Sequence, residues 1–126
     1  MDLGSIMLSA QRLILEVVRG QRGWDELESV GITVRLREDD AVIENPHGHM
    51  AVAEPKDVAE GLLNHATDVE ELRSWAALLL ASAPFVQLNL EGHAYGEVLL
   101  EGLWDASAGE PVRQSALLAA KELCIA

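Results

Sequence analysis

No stretch of the chain limits the fold as much as Trp75-Ala76-Ala77-Leu78-Leu79-Leu80-Ala81, which is apolar on every side. A helix without a polar face has to be enclosed by other elements. Ahead of it, Thr67-Asp68-Val69-Glu70 has the form of a capping box, with Thr67 as the cap. Pro84 stops it. The pattern predicts a central, most buried helix running from this box through Ala83.

Other helices are read from apolar spacing. In Ser5 to Gly20, Ile6, Ala10, Leu13, Ile14, Val17 and Val18 share a face, with Arg12, Glu16 and Arg19 opposite. Glu16 stands four residues from Arg12 and three from Arg19, close enough to neutralise both. Trp24-Asp25-Glu26-Leu27-Glu28 makes a helical turn or two. Pro55 suits a first helical position, followed by an inner face of Val58, Ala59, Leu62, Leu63 and Ala66. Helices from about Ala94 to Ser107 and from Val112 to Cys124 complete the chain.

The period changes at Gly31. Ile32, Val34 and Leu36 alternate with Thr33, Arg35 and Arg37, and Ala41-Val42-Ile43-Glu44 returns after Glu38-Asp39-Asp40. This is a β-hairpin pattern. Asn45-Pro46-His47-Gly48-His49 closes it with turn chemistry. Met50-Ala51-Val52-Ala53 adds a short third strand, and Phe85 to Leu90 is extended or loop. The class is therefore α+β, mostly α: residues 1–53 give a helix plus hairpin, and 54–126 give a bundle of about four helices. All of it belongs to a single domain, 1–126, a length that fits one core.

Composition bounds the function. Residues 1–37 carry five acids and five bases, whereas 38–126 carry sixteen acids and four bases, so the second part holds the whole net charge of -12. Such a field repels nucleic acid and anionic membrane and draws basic partners. The N-terminal segment starts with an acid and is broken by Arg12 and Glu16, unlike a secretory signal. No segment reaches the roughly 20 apolar residues of a membrane helix. Cys124 is the single cysteine and has no partner for a disulfide within the chain. Together these point to the cytoplasm, and Cys124 reads as a small apolar residue of the last helix.

Motifs for chemistry are sparse. His47-Gly48-His49 offers weak candidate metal ligands, but the pair reads better as a hairpin-exit turn than as a zinc framework. No nucleophile elbow, phosphate-binding loop or paired Cys-x-x-Cys is present. No catalytic residue and no cofactor are expected, and the chain does not read as an enzyme. Arg35 and Arg37 lie on one face of the hairpin, where edge protection or local pairing accounts for them.

Acidic residues supply the candidate binding surface. Glu97, Glu101 and Asp105 recur at i, i+4 and i+8 along one side of a helix, and Glu91 precedes it. Val98, Leu99, Gly102, Leu103 and Ala106 take its inner side. Asp39 and Asp40 crown the hairpin with Glu38. Of the tryptophans, Trp24 beside Gly23 is expected to be partly exposed and available to a partner, while Trp75 and Trp104 are expected in the core.

At Glu97-Val98-Leu99-Leu100-Glu101-Gly102-Leu103-Trp104-Asp105-Ala106-Ser107-Ala108-Gly109 the chain resembles small helical bacterial immunity proteins. These are the cognate inhibitors of polymorphic or contact-dependent toxins and of colicins. Asp57-Val58-Ala59-Glu60-Gly61-Leu62-Leu63 and Glu71-Leu72-Arg73-Ser74-Trp75-Ala76 are similar to the same group, so the resemblance covers about half the chain, all of it C-terminal. It assigns no residue a role. What it implies is a bacterial, cytoplasmic protein that binds a basic protein, a toxin nuclease, and blocks its active site. Two other readings stay open. One is a cytoplasmic adaptor or assembly subunit, able to be homodimeric, that uses an apolar patch. The other is a small enzyme or metal-dependent site.

Overall fold

The computed structural model describes residues 3–37, 40–90, 92–109 and 114–125, with the backbone course alone for 3–8, 37 and 40. Its element order is α1 (Leu3–Val18), a 3-10 helix (Trp24–Val30), β1 (Thr33–Arg37), β2 (Asp40–Glu44), β3 (Ala51–Ala53), α2 (Pro55–His65), α3 (Val69–Ala81), β4 (Val86–Leu88), α4 (Gly96–Ser107) and α5 (Gln114–Ile125). The α+β, mostly α class and the helix-plus-hairpin followed by a bundle of helices are both present.

The central helix is α3. Trp75 is 1% exposed and sits in one core with Ile14, Val17 and Val18 of α1, Val58 and Leu62 of α2, and Leu99 and Leu103 of α4. Its cap is Asp68 and not Thr67: the Asp68 carboxylate accepts from the backbone N–H of Glu70 at 3.0 Å and of Glu71 at 3.3 Å. A carboxylate there satisfies orphan donors and opposes the positive helix end, which a threonine does less well. The helix closes at Ala81, before Pro84, because Ser82 to Pro84 turns the chain toward β4.

α1 runs into a glycine turn at Gly20, whose φ of 76° is the left-handed conformation. Arg19 and Glu16 do not pair as their spacing implied. Arg19 Nε instead donates to Asp57 Oδ1 at 2.6 Å, and Glu16 accepts from Arg22, which also reaches Glu26 at 3.1 Å. Tertiary geometry overrides the i, i+3 rule because Asp57, buried at the start of α2, needs a cation more than the less buried Glu16 does. Asp57 Oδ2 also accepts from the Glu54 N–H at 3.0 Å, and Pro55 fills the first helical position behind it.

The hairpin pairs Thr33 with Glu44, Val34 with Ile43, Arg35 with Val42, Leu36 with Ala41, and Arg37 with Asp40. Val34 and Ile43 pack on the core, whereas Leu36, on the same face but farther out, is exposed. β3 does not extend this hairpin. It pairs in parallel with β4, Ala51 to Val86 and Ala53 to Leu88. Parallel pairing requires a long crossover, and α2 with α3 supplies it. That link also accounts for Phe85 to Leu90, where Val86–Leu88 takes up the strand. No helix among the described residues is long and apolar enough to cross a membrane.

Candidate acidic face on helix α4

The start of α4 is fixed by a close approach. A Cβ on Gly96 would lie 1.5 Å from the carbonyl oxygen of Leu90, so the loop folds directly onto the helix start and admits no side chain. Tyr95, just before, donates its hydroxyl to the Glu122 carboxylate of α5. That hydrogen bond, and then the carboxylate's charge, hold the phenol above its ordinary pKa. Glu97 occupies the first turn, where a negative charge suits the helix end.

Leu99, Gly102, Leu103 and Ala106 are buried on the inner side, with Val98 half-buried at its margin. The outer side carries Glu97 and Glu101, both exposed, and Asp105, half-buried. These candidate acids therefore share one helix face. Asp39 and Glu91 lie outside the described residues. Asp40 is placed by its backbone alone, opposite Arg37 at the turn end of the hairpin register.

The tryptophans correct the sequence expectation. Trp104 is not in the core: it is 60% exposed, on the same outer side as Glu97 and Glu101. Its inner neighbours Leu103 and Ala106 already occupy the contact side of α4. Trp24 is half-buried, packed against the core, with its indole Nε1 enclosed and lacking a hydrogen-bond partner. Trp75 is buried as expected. Helical phase was the signal for Trp104: seven residues from Glu97 is nearly two full turns, at about 100° per residue.

The His47–His49 pair is built into the fold. His49 is buried and its Nε2 donates to the Val30 carbonyl at 3.0 Å, while Nδ1 is enclosed. Asn45 clamps the turn, accepting from the His49 N–H at 3.2 Å and donating to its carbonyl at 2.7 Å. The two imidazoles stand 5.9 Å apart, and His47 crowds Gly31, whose φ is 83°. With one His49 nitrogen bonded and the other buried, the pair fastens the hairpin exit to the 3-10 helix. Among the described residues, no three His, Cys, Asp or Glu side chains gather as metal ligands.

Cys124 is half-buried on α5, and burial raises its thiol pKa, with Glu60 adding and Lys56 opposing. A thiol so placed is a poor nucleophile. Other exposed apolar side chains include Leu118 and Ile125 on α5, Val69 at the start of α3, and Val42, Met50 and Val52 in the strand region. No family model, no curated protein and no solved structure matches the chain.

Proposed function

We propose that this protein is a non-catalytic protein-binding module of the bacterial immunity kind, acting in the cytoplasm. In this reading the outer face of α4 occludes a basic active site on a toxin. The carrying observation is the alignment of Glu97, Glu101 and Asp105 on one side of a helix whose other side is packed. A rigid row of carboxylates resembles a phosphate backbone in charge, and the overall charge of -12 would speed encounter with a basic partner.

The test is capture from a native lysate at low salt, followed by stepped salt elution. A single basic protein with nuclease activity after release supports the reading. Glu97→Lys with Glu101→Lys should abolish that capture while the chain still folds, with a modest fall in melting temperature because a cation replaces Glu97 in the first turn of the helix. Unchanged capture by the double variant would sink the α4 assignment.

A second reading, an adaptor or self-associating subunit, draws on the exposure of Leu118 and Ile125 along α5. It calls for an apolar interface with little salt dependence. Light scattering across a concentration series separates it from the first.

A further inference from the structure

We infer that Trp104 is the anchor of the α4 face, the point at which a partner protein seats an arginine or lysine of a basic surface. This rests on the reading of α4 as the binding face. Around the helix axis Trp104 lies about 20° from Glu97 and about 60° from Glu101, at ~100° per residue. Its indole therefore stands at the edge of the acidic row, one turn beyond Glu101, and shares the exposed side of the helix with both acids.

That combination suits one kind of ligand group. A guanidinium or ammonium gains from the negative face of the indole and from the acidic row beside it together. An anion is repelled. A purely apolar side chain would strip water from the carboxylates and return no hydrogen bond. Tryptophan is also prominent among the residues that dominate binding energy, ringed by polar groups at the margin.

The indole is presented from a fixed backbone. The Trp104 carbonyl accepts from the Ala108 N–H at 3.1 Å and from the Ser107 hydroxyl at 2.9 Å. Gly109, with φ 85°, follows in the left-handed conformation. A side chain held on a closed helix end loses less freedom on binding than one on a fraying end. The inner contact of α4 is made by Leu99, Leu103 and Ala106, and Trp104 is not among the core residues.

A random-peptide phage library panned on the full chain supplies the probe, with the selected peptides synthesised and their affinities measured by calorimetry. The peptides should carry arginine or lysine and bind more weakly as salt rises. W104A should weaken them by about 30-fold or more, the factor that marks an interface hot spot. W104F, which keeps an aromatic face, should stay within a few-fold. Should W104A fail to fold, W104Q takes its place. Peptides weakened by E97Q with E101Q but indifferent to W104A would overturn the anchor and leave the α4 reading standing. Peptides indifferent to both sets would overturn both. Trp104-dependent peptides without basic residues, or no selected peptide at all, would overturn the cationic partner. So would a blue shift of Trp104 emission on phosphatidylcholine vesicles that W104A abolishes, which would assign the indole to lipid.

Discussion

The indole Nε1 of Trp75 donates to the carbonyl oxygen of Val18 at 3.1 Å, across 57 residues of sequence. Val18 ends α1, where carbonyls have no partner within the helix. The next carbonyl, of Arg19, accepts from Asn64 Nδ2 at 2.7 Å. Side chains of α3 and α2 thus close the end of α1, and the three helices meet at one polar junction, buried at Trp75 and exposed at Asn64. Gly61 makes room for it: a Cβ there would stand 2.2 Å from the Val18 oxygen and 2.3 Å from Trp75 Cζ2.

Trp75→Ala should cost about 3–5 kcal/mol, as a large aromatic deletion in a core. Trp75→Phe keeps much of the ring but leaves the Val18 carbonyl without its donor, an expected loss of about 1–3 kcal/mol. Urea denaturation checks both. A Phe variant as stable as the wild type would show that the hydrogen bond contributes nothing.

Gly61→Ala ordinarily helps a helix, by up to about 1 kcal/mol. Here the new methyl meets backbone and a buried ring, so the expected outcome is a loss of about 1–3 kcal/mol or more. A stabilised variant, read from the denaturation midpoint, would mean that the helices can separate at little cost.

Asp57→Ala removes the partner of Arg19 and the acceptor of the Glu54 N–H together. Arg19 is partly exposed and can regain water, so the expected cost is about 2–3 kcal/mol, below that of a fully buried pair. Asp57→Asn, which keeps an acceptor for Glu54, should cost less. Equal losses for the two would place the whole effect in the charge.

His65 gives the protein a pH dependence. Its ring stands 5.5 Å from that of Trp75, and burial lowers its pKa below 6.5, with Glu71 at 3.9 Å opposing. The unfolded chain therefore takes up this proton first as pH falls. The contribution of His65 to stability is complete above about pH 6.5 and is lost as pH drops from there toward the lowered folded value. His65→Gln should flatten melting temperature against pH in that window. Glu71→Gln should steepen it, because the opposing charge is gone. A wild-type profile unchanged by His65→Gln would assign the dependence to other groups.

Much of this was legible in the chain. The apolar run around Trp75 required an enclosed helix, and the alternation from Ile32 to Ile43 required a hairpin, because periodicity records which side of an element meets the core. The face of α4 was legible too, since Leu99, Leu103 and Ala106 fix its phase. Trp104 was misassigned because its leucine neighbours suggested burial, although the helical period already set it beside Glu97 and Glu101.

What the sequence by itself determined was local: helix faces, the hairpin and its turn, the class of the fold, and an acidic row on one helix. These follow from residues a few positions apart, where backbone geometry leaves little choice. Tertiary structure alone decided that Arg19 answers Asp57 and not Glu16, that β3 joins β4 and not the hairpin, and that His49 is spent on Val30. Each depends on which distant group arrives within hydrogen-bond reach once the core closes. Buried donors, acceptors and charges take whatever partner the packing brings, and spacing along the chain carries no record of it.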